Sequence, residues 1–120
     1  MGPPSVPCGD EGMVVVATWR VVVPRARRQE ALHALRSVQA ATGVQPDGRR
    51  CRLYRDTQDD RAFLLVQEWM SQRALDRYLR SDVYRSVLAV LETASEPPEI
   101  SFDTLAQRAG VEVVEIARRP

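Results

Sequence analysis

The chain is 120 residues long with a formal net charge of +1, and 44% of it is hydrophobic against 28% charged, the balance of one globular domain with a workable core. All seventeen basic residues are arginine and the chain has no lysine or asparagine; so small a net charge gives no field to hold a phosphate backbone, so no nucleic-acid partner is expected. With one histidine and two cysteines, Cys8 and Cys51, neither a disulfide framework nor a His/Cys metal cluster can be built, so no metal site is assigned and both thiols are expected free in a reducing cytoplasm.

Residues 1 to 12, MGPPSVPCGDEG, lack the charged and apolar regions of a signal peptide. Their Pro and Gly content predicts a disordered tail ahead of a single domain over residues 13 to 120. No apolar run approaches the ~20 residues a membrane span requires, so a cytoplasmic protein without a membrane partner is expected. Residues 13 to 23, MVVVATWRVVV, are rich in β-branched side chains and stop at Pro24, which predicts a first strand. Leu32, Leu35, Val38 and Thr42 then recur at helical spacing over residues 25 to 42, and Gly43 supplies the stop. VQPDGR is a turn, residues 50 to 56 a second strand, TQDD a polar hairpin, and AFLLVQEW, residues 62 to 69, a third strand antiparallel to its neighbours.

Ser71 reads as an N-cap that sets Leu75, Tyr78 and Leu79 on one helical face. Ser81 and Asp82 read as a second cap, restarting a helix with Val83, Val87 and Leu91 in register until Pro97 and Pro98 exclude it. EISFDTLA and VEVVEIARR are predicted as a fourth and a fifth strand joined by the turn QRAG. The order β-α-β-β-α-β is that of the α+β, ferredoxin-like split βαβ, with both helical segments on one face of an antiparallel sheet. Strands one and three are nonetheless apolar on both faces, at Val14 to Val16 and Val21 to Val23, and at Phe63 to Val66. Two helical segments cover one face only, so the other is expected to meet its copy in a homodimer.

The run Trp69-Met70-Ser71-Gln72-Arg73-Ala74-Leu75-Asp76, followed by Tyr78, Ser81 and Tyr84, resembles the antibiotic biosynthesis monooxygenase domain family. In that family of dimeric α/β barrels a strand-ending Trp leads into S-x-x-A-L-x-x-H-x-x-S-x-x-[FY]. The resemblance covers nearly the whole chain after residue 12. It implies a pocket between sheet and helices in which a flat aromatic metabolite, of quinol or anthrone type, is oxidised by O₂ without a cofactor, the protein stabilising the substrate anion and excluding water. On this reading Trp69, Tyr78 and Gln67 are the catalytic residues: an aromatic wall, a hydrogen-bond donor and a polar orienter. Tyr84, Arg73, Thr18, Phe63 and Leu65 are assigned to substrate binding, with Arg77 the alternative to Arg73 as anion partner.

The sequence departs from the family pattern in two places. Tyr78 stands where the family often has histidine, which removes the usual ligand of the haem-degrading branch. The pocket asparagine of the studied branches has no counterpart, and Gln67 and Thr18 are the nearest polar stand-ins. The competing readings are a non-catalytic small-molecule-binding dimer, a haem-degrading oxygenase with Tyr78 as the iron ligand, and a purely structural module, in which Trp69, Tyr78 and Tyr84 are core packing. His33 reads as a surface histidine, Glu68 as pointing away from Trp69, and Asp59-Asp60 as solvated turn residues.

Overall fold

The computed structural model describes residues 13–120; the expected tail, Cys8 included, lies outside the described residues. In chain order come β1 (Val15–Val22), a single 3₁₀ turn (Arg25–Arg27), α1 (Arg28–Gly43), β2 (Gly48–Arg55), β3 (Ala62–Trp69), α2 (Gln72–Leu79), α3 (Asp82–Glu92), β4 (Glu99–Thr104) and α4 (Val111–Ala117). The strands form one antiparallel sheet in the order β2-β3-β1-β4, with β1 and β3, apolar on both faces, in the centre. This is the α+β ferredoxin-like arrangement, and the sheet is open rather than closed as a barrel.

Register fixes which residues share a face. Val15 pairs with Trp69, Ala17 with Gln67, Trp19 with Leu65 and Val21 with Phe63, and these eight point toward α1, α2 and α3 to form one buried core with Leu35, Val38, Leu75, Tyr78 and Val87. Burial of a side chain such as Phe63 or Leu65 is worth roughly 1.5–3 kcal/mol over leaving it in water. Val16, Thr18, Leu64 and Val66 take the alternate positions and face away from the helices, only half-buried. Glu68 shares that far face, where Arg49, Arg50 and Arg108 surround it at 3.7, 3.9 and 3.3 Å.

Both serine caps are present: Ser71 Oγ accepts the Ala74 N–H at 3.1 Å and Ser81 Oγ accepts that of Tyr84 at 3.4 Å. They break the segment after Trp69 into two helices, and that break sets Tyr78 at the end of one against Tyr84 at the start of the next.

The fifth strand does not form. VEVVEIA is the helix α4, entered at Gly110, whose N–H is accepted by the Glu112 carboxylate at 2.9 Å. That contact holds the Glu112 carboxyl below its ordinary pKa and favours a helical start over an extended chain. Among the described residues nothing buries a side chain of α4, and Val111, Val113, Val114 and Ile116 are all more than half exposed. Among the described residues no helix is long and apolar enough to cross a membrane.

Candidate active site

The end of β3 is where the chemistry-bearing side chains meet. Trp69 closes the strand, and two residues earlier Gln67 lies on the same face, completely buried. The Trp69 indole N–H donates to Gln67 Oε1 at 3.1 Å, and Gln67 Nε2 donates to the Tyr78 hydroxyl at 2.9 Å. The same amide lies 3.4 Å from Thr42 Oγ1 and 3.7 Å from Cys51 Sγ, so a single glutamine ties β3 to α1, β2 and α2. Among the described residues no buried side-chain nitrogen or oxygen lacks a partner, as a buried polar network requires.

The aromatic rings form a continuous stack around this amide. Trp69 and Tyr78 lie 4.7 Å apart at 31°, Tyr78 meets Tyr84 edge-on at 5.5 Å, and Trp19 contacts Tyr84 at 5.9 Å and Phe102 at 5.8 Å. Trp19 Nε1 donates to the Tyr84 hydroxyl at 3.2 Å. Gly48, at the start of β2, backs the indole: a methyl group there would stand 3.4 Å from the Trp69 ring and 3.2 Å from the Thr42 carbonyl oxygen.

Beside the Trp69–Tyr78 pair opens a cleft of about 350 Å³, walled on its other side by the loop Gln45, Pro46 and Asp47 and reaching Arg77 and Ser81. Arg77 and Asp47 form an exposed ion pair across its lip. The volume falls at the small end of the range for ligand sites, enough for a flat ring system lying against the indole.

Burial pushes the Tyr78 phenol up to about 12, the hydrogen bonds from Gln67 and Thr42 only partly opposing it. At neutral pH it is a fully protonated O–H, a donor and not a base. Burial likewise pushes up the Cys51 thiol, leaving it an inert core side chain rather than a nucleophile.

The eight residues assigned from the sequence divide into three groups. Trp69 and Tyr78 line the cleft with Gln67 behind them. Leu65 and Tyr84 flank the stack, Leu65 buried and Tyr84 occupied by Trp19. The remaining three lie elsewhere. Thr18 pairs with Val66 and so points to the face away from the helices, because strand parity places its neighbours Ala17 and Trp19 on the core side. Arg73 is exposed on α2, whose inward positions are Ala74, Leu75 and Tyr78. Phe63 is six residues up β3 from Trp69, roughly 20 Å away, and borders a different concavity. The sequence reading gave no site role to Trp19, Thr42, Gly48 or the 45–47 loop. Trp19 carried a signal as an aromatic in the phase of Val15 and Ala17, and Thr42 as the last member of the α1 stripe.

A haem does not fit these side chains. Tyr78, which occupies the family's ligand position, is 3% exposed and wedged against Trp69, and burial opposes the phenolate that iron would need.

An antiparallel sheet backed by capped helices, with a Trp-Gln-Tyr network at the strand end, defines the class: an α+β ferredoxin-like domain with a cleft at the sheet–helix junction. The model of the antibiotic biosynthesis monooxygenase family matches residues 12–90, and the chain belongs to that family. The fold is shared with the crystal structure of an antibiotic biosynthesis monooxygenase at 16% identity and TM-score 0.71, covering 78% of this chain and 99% of that one. It is shared too with a Mycobacterium tuberculosis protein (19% identity, TM-score 0.73, covering 81% and 99%) and a conserved Methanosarcina mazei protein (18%, 0.70, covering 77% and 92%). Among curated proteins none matches the chain.

Proposed function

We propose that this protein is a cofactor-independent monooxygenase that oxidises a flat, oxygen-bearing aromatic metabolite, of quinol or anthrone type, with O₂ in the cytoplasm. The observation that carries the reading is the cleft itself: its inner wall is the Trp69–Tyr78 pair held by Gln67, and its lip carries the Arg77 guanidinium. The substrate ring lies against the indole. Its enolate or phenolate oxygen is held by Arg77, released from Asp47, and by the Tyr78 O–H, which stays protonated throughout the neutral range. The substrate gives up its proton to solvent water at the open mouth of the cleft, the anion being stabilised by these two donors, and the resulting carbanion reduces O₂. For an anthrone methylene the balance is R₂CH₂ + O₂ → R₂C=O + H₂O, one oxygen atom entering the product and the other leaving as water. Gln67 is a positioning residue here: it fixes the tilt of the indole and the direction of the phenol without touching substrate.

A dimer completes the proposal. The half-buried Val16, Leu64 and Val66 and the exposed apolar face of α4 support a second copy stacked on the far face of the sheet.

One observation favours a second reading, a dimer that binds an aromatic ligand without turnover: every polar group in the Trp69–Gln67–Tyr78 network is already satisfied within the protein. Oxygen consumption by metal-free protein with anthrone or hydroquinone substrates separates the two. Consumption above the spontaneous rate is expected for the oxygenase, and saturable binding without it for the alternative.

A further inference from the structure

Phe63 does not face the cleft at Trp69, but it does border a second concavity, of about 430 Å³, between α1 and the edge strand β2. The floor is apolar: Leu32 and Leu53, both half-buried, with Phe63 beneath. Its rim carries two guanidiniums, Arg36 from α1 and Arg55 from β2, and Tyr54 completes the edge. The Arg55 guanidinium carbon lies 5.6 Å from the centre of the Phe63 ring, a cation–π contact that keeps this exposed charge beside the floor.

The charge balance around this groove is one-sided. The aspartates of the neighbouring β2–β3 turn are engaged elsewhere: Asp56 by Arg20, Asp59 by Arg61, and Asp60 by Arg25 and Arg28. Among the described residues neither Arg36 nor Arg55 has an ion-pair partner. Two unpaired arginines lining one concavity with an apolar floor match an anion that carries its own apolar body. A free phosphate would leave Leu32 and Leu53 uncovered, and a neutral aromatic would leave the arginines unanswered.

We propose that this groove is a binding site for a small organic carboxylate with a flat apolar body, separate from the cleft at Trp69. The carboxylate lies between Arg36 and Arg55, and the ring system covers Leu32 and Leu53. About 20 Å of strand separates Phe63 from Trp69, so one small ligand cannot span both places, and the proposal stands independently of whether the other cleft supports turnover.

The test compares naphthoate with its neutral analogue naphthalenemethanol, titrated by ligand fluorescence into the full chain. Wild type should bind the acid about tenfold tighter than the alcohol, with an affinity that falls as salt rises. Arg36→Gln/Arg55→Gln should weaken the acid about tenfold and leave the alcohol unchanged, and the same arginine-dependent loss should appear when the pair is changed in a Trp69→Phe background. Each arginine is exposed, so the thermal midpoint should hold; if the pair lowers it, Arg36→Gln alone provides the same reading. The proposal is overturned by equal binding of acid and alcohol, by an acid affinity the arginine variants do not change, by absence of saturable binding, or by an arginine effect that vanishes in Trp69→Phe, which would place the ligand in the other cleft.

Discussion

Replacing Gln67 with leucine tests whether the amide organises the site. The side chain is fully buried and makes three contacts under 3.5 Å: it accepts from Trp69 and donates to Tyr78 and Thr42. Leucine fills a similar volume, so the cavity contribution is small. What remains is the Trp69 N–H left buried without an acceptor, at about 1–3 kcal/mol. The Tyr78 and Thr42 oxygens each lose a donor, a smaller loss because both hydroxyls can turn. The gain from burying apolar atoms in place of an amide offsets part of this. A net destabilisation of about 2 kcal/mol is expected, which in a domain of this size lowers the thermal midpoint by roughly 10 °C. Urea denaturation followed by tryptophan fluorescence measures the first quantity and calorimetry the second. A double-mutant cycle with Trp69→Phe should show coupling of about 1 kcal/mol, since removing the indole N–H removes the orphaned donor. A Gln67→Leu protein as stable as wild type, with no coupling to Trp69, would refute the network as the organiser of this end of the sheet.

Four further outcomes follow from the same geometry. Tyr78 carries its proton to higher pH in the folded protein than in the unfolded chain, from 10.0 to about 12, so the stability linked to it is complete below pH 10 and lost as pH rises through 12. It amounts to about 2–3 kcal/mol, and Tyr78→Phe should flatten the alkaline limb of the stability–pH curve measured by denaturant titration. Gly48→Ala sets a methyl group against the Thr42 carbonyl and the Trp69 ring; a loss of about 1 kcal/mol with a shifted tryptophan emission is expected. Arg77→Gln removes only an exposed ion pair, so stability should change by less than about 0.5 kcal/mol while kcat/KM for an anion-forming substrate falls at least about tenfold. Val66→Asp, on the face away from the helices, should convert a dimer to monomer in analytical ultracentrifugation; a wild-type protein already monomeric at micromolar concentration contradicts the stacked-sheet dimer.

Much of the fold is written locally. Pro24, Gly43, the PDG turn and the two serine caps each mark an element boundary, and β1 to β4 with α1 to α3 form where those marks set them. The last helix was illegible for a physical reason: VEVVEIA is β-branched enough to suggest a strand and too short for its period to decide. The deciding contact, Glu112 reaching back to the Gly110 N–H, belongs to the folded chain.

The site was legible along one strand and much less so across strands. Gln67 and Trp69 share a face by parity alone, and helical spacing aims Tyr78 inward. Thr18 was misplaced because valines on both faces of β1 hide its phase, which only pairing with β3 reveals. Thr42, in the helical stripe, and Gly48, in the PDG turn, were legible as structure but not as parts of the site, since both act through where α1 ends and β2 begins. Arg73 lies beside the inward positions of α2, and its neighbour at the next turn, Arg77, reaches the cleft instead.

The most direct test of the central claim is oxygen uptake by metal-free protein supplied with an anthrone or hydroquinone substrate, run beside Trp69→Phe. Uptake well above the spontaneous rate, cut sharply in the variant while its fold persists, is the expected result. Uptake no faster than the uncatalysed reaction across such substrates, or a rate indifferent to Trp69→Phe, would contradict oxygenation in this cleft.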